Sequence, residues 1–276
     1  FVNEYAGYKR DLSEPYLVDQ AARDSLVHSI YDRLKTEVDV SHIMVERPYG
    51  AKATAAKKAM LDSLRTEIIA GRADFATVAD TYSIDPAAKQ NHGHMGYIVA
   101  GAFPYTFEDA AYSTAVGEIS PVIETQFGYH IVKVNATRKA QGQVKVQHIL
   151  KLTRGLSEEE QALKKAQIDS LYTVLKNGAD FDEVAKAESE VPGSARNGGR
   201  MDWCSTGRMV PEFEATSFAL ANGEISEPFA TAYGYHIVKR LDWKQIDSHE
   251  DMAPRINAMI DRDDRQYIPV RAKTRQ

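Results

Sequence analysis

The chain contains one sequence pattern twice, at a constant spacing of 106 positions. The segment Val-Ser-His-Ile-Met-Val at 40–45 returns as Val-Gln-His-Ile-Leu-Lys at 146–151, and Phe-Gly-Tyr-His-Ile-Val-Lys at 127–133 returns as Tyr-Gly-Tyr-His-Ile-Val-Lys at 233–239. Two further blocks, Ala-Asp-Phe and Gly-Glu-Ile-Ser, keep this spacing. A unit of roughly 100 residues has the size of a compact domain and exceeds the solenoid period of about 20–50 residues. The sequence therefore predicts two copies of one globular domain.

Composition limits what such a chain can do. The 276 residues are 43% hydrophobic and carry 34 Lys+Arg against 39 Asp+Glu, for a net charge of −5. This balance suits two apolar cores and argues against nucleic-acid binding. No apolar run approaches the roughly 18 residues that a membrane-spanning helix needs. A single cysteine, Cys204, excludes an internal disulfide and a cysteine-based metal cluster. Because the first residue is Phe1, we expect a piece of a longer protein whose targeting segment is absent.

The order of signals within each copy predicts its fold class. A short strand with a histidine is followed by a helix, a second helix starting at Ala-Asp-Phe, a polar loop with glycines (83–96 and 189–202), a third helix and two final strands. This β-α-α-α-β-β order predicts an α+β domain in which helices cover a small antiparallel sheet. The two domains are expected at 38–137 and 143–242.

Helical segments are predicted on both sides of the repeats. Residues 1–37 form a helical lead-in in which Asp19 can cap a helix with one apolar face. Its apolar stripe needs a partner, either in a repeat or in a domain outside this chain. Residues 243–276 form a charged helical tail with a thin apolar stripe, Ile256, Met259 and Ile260.

The repeated blocks resemble the parvulin family of peptidyl-prolyl cis/trans isomerases. The second copy carries Gly-Ser-Ala-Arg-Asn-Gly-Gly at 193–199, Met-Val-Pro-Glu-Phe-Glu at 209–214 and Thr-Ala-Tyr-Gly-Tyr-His-Ile at 231–237. Tandem units after a helical lead-in resemble the SurA-like periplasmic chaperone-isomerases, and the lead-in would then be a fragment of a chaperone-type domain. The resemblance implies a periplasmic protein without cofactor or metal. Its partners would be unfolded or extended polypeptides containing proline and aromatic residues, with no nucleic acid and no membrane insertion.

The implied reaction needs an apolar pocket. An X-Pro bond rotates over a barrier of about 18–20 kcal/mol, and the twisted transition state is less polar because it has lost amide resonance. A dry pocket around the proline therefore favours the twisted form. The resemblance assigns this pocket to one set of side chains in each copy: Met95, Phe103 and Phe107, and Met201, Met209 and Phe213. From spacing alone these side chains are more typical of plain core, and the surrounding motif favours the pocket.

The resemblance also pairs the repeated histidines. The first copy would place His42 and His130 near Thr125, and the second copy would place His148 and His236 near Thr231. Two neutral imidazoles and a hydroxyl can fix each other's tautomers in a buried network. Such a network can take part in catalysis or maintain the fold and the pocket shape, and the sequence leaves both roles open.

Asp85 is the sharpest difference between the copies. It occupies the family's Cys-or-Asp position beside the substrate amide, where the second copy has Val191. A carboxylate can hydrogen-bond to the planar amide or destabilise it electrostatically, and valine can do neither. Both copies depart from the family pattern elsewhere, with His92 replacing the first glycine of the loop pair and Asp202 replacing a later glycine. We expect the first copy to catalyse and the second mainly to bind.

Three functions stay open from the sequence: a prolyl isomerase, a non-catalytic parvulin-fold holdase that grips extended segments, and a structural spacer in an envelope assembly. The intact pocket residues argue against the spacer. His92 and His94 are too few ligands to indicate a metal site. Glu108 and Glu214, which follow the pocket phenylalanines, are expected to be solvated helix charges.

Overall fold

The computed structural model describes residues 18–262 and 264–273, so the first 17 residues of the predicted lead-in lie outside the described part. The chain divides into two compact units. One combines the first repeat with both flanking segments, from residues 1–140 and 247–276, and the other is the second repeat, residues 141–246. Within the described ranges no helix is long and apolar enough to cross a membrane.

The first repeat forms a four-stranded antiparallel sheet with helices on both faces. The sheet order is β2-β1-β4-β3. Up to residue 140 the elements, in chain order, are α1 (Gln20–Leu34), β1 (Thr36–Val45), α2 (Ala51–Ile69), α3 (Phe75–Tyr82), α4 (Ala88–Asn91), β2 (His94–Ile98), α5 (Tyr105–Ser113), β3 (Ile123–Thr125) and β4 (Gly128–Lys139).

The second repeat has the same architecture, with sheet order β6-β5-β8-β7. Its elements are β5 (Gln143–Leu152), α6 (Glu158–Lys176), α7 (Phe181–Glu188), α8 (Pro192–Ala195), β6 (Cys204–Ser205), α9 (Pro211–Ala219), β7 (Phe229–Thr231) and β8 (Gly234–Lys244). The tail then adds α10 (His249–Ile260), a 3₁₀ turn (Asp264–Gln266) and α11 (Tyr267–Lys273). The predicted α+β class and small antiparallel sheets are confirmed. The predicted polar loops additionally contain a short helix and, in the first repeat, the start of an edge strand.

The lead-in helix packs against the tail. Helix α1 begins after Asp19, whose side chain accepts a hydrogen bond from the Ala22 N–H, as the capping pattern predicted. The apolar faces of α1 and α10 form one core, made of Leu26, Val27, Ile30, Met252, Ile256 and Ile260. The partner of the lead-in stripe is therefore the tail of the same chain.

The period of the central strands sorts side chains between the two faces of the first sheet. Ile43 and Ile131 pack with α2 and α3, where Leu61 and Phe75 are buried. The opposite face carries a second apolar cluster, in which Val40 of β1 and Val132 of β4 pack with Phe107 of α5. His130 is two residues before Val132 on β4, and His42 on β1 is opposite Val132, so both histidines face α5 as well.

A glycine loop holds the histidine strand in place. The His42 N–H donates to the Gly93 carbonyl at 2.8 Å, and the His148 N–H donates to the Gly199 carbonyl at 2.9 Å. Gly93 has φ +78°, and a Cβ there would lie 2.6 Å from the His42 carbonyl oxygen. A Cβ at Gly199 would lie 2.3 Å from the His148 carbonyl oxygen. This second glycine of the loop pair therefore allows the loop to touch the strand that carries the site.

Gly93→Ala is expected to destabilise the first unit more than Gly96→Ala. Gly96 has a similar φ of +77° but open space around its Cβ, so its substitution costs only the left-handed strain of about 1–2 kcal/mol. Gly93→Ala adds a clash with the backbone, so we expect it to lower the free energy of unfolding by at least about 2 kcal/mol more than Gly96→Ala does. Native-state hydrogen exchange of β1 amides measures both costs. Equal costs in the two variants would contradict the close approach.

Candidate functional site

The two histidines of the first repeat are diagonal neighbours on the central strands. His42 on β1 is opposite Val132, and His130 on β4 is opposite Met44, so the two rings share one face of the sheet. The rings are nearly parallel at 17°, with centroids 5.7 Å apart, and both side chains are buried.

A chain of polar contacts runs through these rings. Thr125 Oγ1 lies 2.8 Å from His130 Nε2, and His130 Nδ1 lies 3.5 Å from His42 Nδ1, a long contact. His42 Nε2 lies 2.7 Å from Asp85 Oδ2. The four predicted polar residues are thus brought into one line that leads from the buried strand turn to the half-buried carboxylate.

The hydrogen-bond donors fix a direction along this line. Thr125 Oγ1 accepts from the Phe127 N–H at 3.1 Å and keeps a second lone pair, so it can either donate to or accept from His130 Nε2. The direction is set at the other end, where an ionised Asp85 can only accept and His42 Nε2 must donate to it. His130 then carries its proton on Nδ1 and donates towards His42 Nδ1. His42 in turn carries its proton on Nε2 and donates to Asp85. Each proton points towards the carboxylate, which suits a neutral His130 and an ionised Asp85.

Electrostatics agree with this assignment. Partial burial opposes the ionisation of Asp85, but the hydrogen bonds from His42 and the Ala87 N–H outweigh it and bring the pKa of Asp85 below its ordinary value. Burial, aided by His42, lowers the pKa of His130 to about 4. At neutral pH the site therefore holds a carboxylate at one end and an uncharged imidazole at its centre.

The second repeat keeps the histidine pair but has a different residue at the end of the line of polar contacts. Thr231 Oγ1 lies 2.8 Å from His236 Nε2, as in the first repeat. His148 Nε2 lies 2.8 Å from Ser194 Oγ, where the first repeat uses Asp85. The ring centroids of His148 and His236 are 6.2 Å apart, and neither buried Nδ1 has a hydrogen-bond partner. The line of contacts is therefore interrupted between the rings and ends in a neutral hydroxyl.

The predicted pocket side chains of the first repeat cluster beside the histidines. Phe107 is buried, and Met95 and Phe103 pack against the same cluster. The Phe107 ring stands edge-on to both His42 and His130, at 5.7 Å between centroids in each case. Phe103 lies 5.3 Å from Phe107. An apolar floor thus adjoins the polar line, although the role of each residue remains a prediction.

The second pocket has the predicted side chains and one more aromatic ring. Phe213 is buried against both histidines, and Met201 and Met209 pack with it. Phe229 of β7 stacks on His236 at 5.4 Å with an interplanar angle of 18°. Sequence reasoning missed Phe229 because the first repeat has Ile123 at the equivalent position, so the repeat gave no signal.

Ser194 was also missed, for a different reason. The constant spacing pointed from Asp85 to Val191 as its counterpart, and Val191 offers no polar atom. Helix α8 starts after Val191, so Ser194 follows one turn later and its hydroxyl reaches His148. The Gly-Ser-Ala motif was the available signal.

The expectation for Glu108 was wrong. Its side chain is 2% exposed and pairs with Arg265 from the tail. Burial raises the pKa of Glu108, while the charge of Arg265 and backbone donors oppose the rise. A contact partner 157 positions away could not be read from the local sequence.

The loop histidines point to separate carboxylates. His92 Nδ1 lies 2.9 Å from Asp80, and His94 Nε2 lies 2.7 Å from Asp39. Across residues 18–262 and 264–273, no group of three or more His, Cys, Asp or Glu side chains could hold a metal ion. His92 also takes a left-handed φ of 54°, in the place that a glycine fills in the second repeat.

Comparison with known proteins places this geometry in a family. A model described as PPIC-type PPIase domain matches residues 42–136, and another with the same description matches residues 132–244. The chain belongs to the PPIC-type, or parvulin, family. It carries two such domains in tandem, which confirms the resemblance drawn from the repeated blocks.

The curated relatives that the chain matches are longer than the chain. Chaperone SurA of Alkalilimnicola ehrlichii is 34% identical over 220 residues, covering 76% of this chain and 50% of the relative. Chaperone SurA of Nitrosococcus oceani is 31% identical over 253 residues, covering 88% and 58%. The chain therefore spans about half the length of the curated relatives it matches. The crystal structure of peptidylprolyl isomerase PrsA from Bacillus cereus covers 98% of this chain and 86% of its own, at 19% identity and a TM-score of 0.38, which supports no further conclusion.

The second repeat should lose stability as the pH falls from about 6.5 towards 4. Burial lowers the pKa of His148 and of His236 to about 4, so the unfolded chain takes up these protons first. The free energy of unfolding should therefore fall by up to about 1.4 kcal/mol per pH unit for each histidine. Both tryptophans, Trp203 and Trp243, belong to this unit, so their fluorescence reports its urea unfolding.

A double variant, His148→Gln/His236→Gln, provides the comparison. No other histidine lies in residues 141–246, so the variant should show a much flatter free energy of unfolding between pH 7 and pH 5. If the original chain and the variant lost stability in parallel over this range, the histidines would not be buried in neutral form.

Proposed function

We propose that this chain is a peptidyl-prolyl cis/trans isomerase that works on X-Pro bonds of unfolded or partly folded proteins. One observation carries the proposal. In the first repeat the apolar cluster around Phe107 and the carboxylate-ended line through His42 and His130 adjoin each other. A substrate proline on the apolar floor would present its amide to the polar line.

The chemistry follows from the change in the amide during rotation. A planar amide places partial negative charge on its carbonyl oxygen, and the twisted form places a lone pair on the proline nitrogen. The apolar floor of Met95, Phe103 and Phe107 favours the less polar twisted form. The ionised carboxylate of Asp85 would disfavour the charge on the planar carbonyl. No proton transfer or covalent bond is needed, so the histidines can act by holding Asp85 and the pocket wall in place.

The two repeats would divide the work. The first ends in a carboxylate held by His42, whereas the second ends in the neutral hydroxyl of Ser194. In the second pocket Phe229 stacks on His236, where the first repeat has Ile123. We therefore assign catalysis to the first repeat and client binding to the second.

The chaperone role rests on the relatives and the pockets together. The curated relatives bear the name Chaperone SurA, and both pockets present aromatic and methionine side chains. The proposed clients are extended envelope polypeptides with proline and aromatic residues, met in the periplasm. The alternative is a holdase in which both repeats bind without turnover, and the neutral, interrupted line of the second repeat favours that role there.

Asp85→Ala should lower isomerase activity by about tenfold or more, equivalent to about 1.4 kcal/mol in the barrier, while leaving peptide affinity largely unchanged. The assay is two-dimensional NMR exchange between the cis and trans forms of an Ala-Xaa-Pro-Phe peptide with catalytic amounts of the chain. Peptide line-broadening gives the affinity in the same samples. Val191→Ala, at the sequence-equivalent position of the second repeat, is the matched control and should retain full activity.

The outcomes separate the two functions. Exchange that weakens in the Asp85 variant alone establishes an isomerase working through the first repeat. Peptide shifts without exchange in the unmodified chain would make it a parvulin-fold holdase. Full exchange in the Asp85 variant would remove the case for the first repeat.

A further inference from the structure

The loop before helix α5 is held by a buried carboxylate. Glu108 Oε1 accepts from the Gly101 N–H at 2.6 Å and from the Phe103 N–H at 2.9 Å. Phe103 is the side chain predicted to form a wall of the first proline pocket. Glu108 therefore fixes the backbone from which that wall projects.

The partner of this carboxylate comes from outside the repeat. Arg265, in the 3₁₀ turn of the tail, donates to Glu108 Oε2 and also lies 3.4 Å from the Phe103 carbonyl. Both side chains of the pair are 2% exposed. The guanidinium also lies 5.5 Å from the centre of the Tyr105 ring at the start of α5. Charge-assisted hydrogen bonds in such a dry place are strong and directional.

We propose that Arg265 is a positioning residue for the first proline pocket, so that the tail completes the substrate site of the first repeat. Arg265 and Glu108 together bind both main-chain polar groups of Phe103. The pocket wall is thereby fixed by a segment that is far away in sequence. This inference rests on the proposed function, and it assigns a role to residues that touch no substrate themselves.

A cleft beside the pocket supports the same assignment. Its volume is about 570 Å³, and Phe103 and Thr125 line it together with Met259, Arg262 and Tyr267 of the tail. The tail thus forms one wall of the space next to the proline pocket. Gly101 allows this approach, because a Cβ at its position would lie 2.4 Å from Met259 Cε.

The equivalent carboxylate of the second repeat is less buried. Glu214, the equivalent of Glu108, accepts from the Gly207 N–H at 2.7 Å, but its side chain is only half-buried. The tail belongs to the unit of the first repeat.

The test compares variants of the whole chain. Arg265→Met/Glu108→Gln removes both charges at once, which avoids an uncompensated buried carboxylate and keeps an oxygen for the Gly101 and Phe103 N–H groups. We expect the ring contact between Phe103 and Phe107, measured as an NMR nuclear Overhauser effect, to weaken. The kcat/KM for the Ala-Xaa-Pro-Phe peptide should fall by about tenfold to a hundredfold. Arg265→Lys, which retains a donor cation, should restore most of the activity.

Arg23→Met is the matched control. Arg23 of α1 bonds Asn257 and Asp261 of the tail, so its substitution removes a tail contact of the same charge type that does not touch the pocket loop. Its activity should stay within about twofold of the original chain, because the apolar core between α1 and α10 and the pair of Glu108 with Arg265 are retained. A folded double variant with the original ring contact and activity would overturn the proposal. If the original chain shows no isomerisation, the proposed function fails, and the ring contact still decides the role of Arg265.

Discussion

The diagonal pairing of two histidines across the central strands is the contact on which each site depends. It requires the register that places His42 opposite Val132 and His130 opposite Met44, since a slip of either strand by one residue would turn its ring to the other face of the sheet. The carbonyl of Gly93 accepts a hydrogen bond from the His42 N–H and so holds that strand. Only glycine permits this approach, because a Cβ at Gly93 would lie too close to the His42 carbonyl oxygen. Strand register, loop and apolar helix face thus converge on one pair of rings.

The two repeats show how the same frame can carry different chemistry. In the first, each proton along the line points to an ionised carboxylate, and the contacts between rings are continuous. In the second, the rings are farther apart and the line ends in the hydroxyl of Ser194. A fixed charge beside an amide changes the energy of its planar form far more than a neutral hydroxyl does. The electrostatic difference, more than the shared fold, separates the proposed roles.

Much of this arrangement was predictable because it is encoded in short motifs that occur twice. The tandem domains followed from repeated segments of six or seven residues, the α+β class from the order of signals within each copy, and the pairing of His42 with His130 from the family resemblance. Ser194 was not predictable from spacing, because a one-turn helix moves the polar atom three positions along the chain. The burial of Glu108 was not predictable either, since its partner Arg265 reaches it only through the tertiary packing of the tail.

The most direct test of the account is the protonation state of the first histidine pair. Nitrogen-15 NMR of the imidazole rings at pH 7 should show a neutral His130 with its proton on Nδ1, and a proton on His42 Nε2. This result would establish the directed line that ends at an ionised Asp85. A His130 proton on Nε2, or a His42 Nε2 without a proton, would mean that the line runs the other way and would contradict the account.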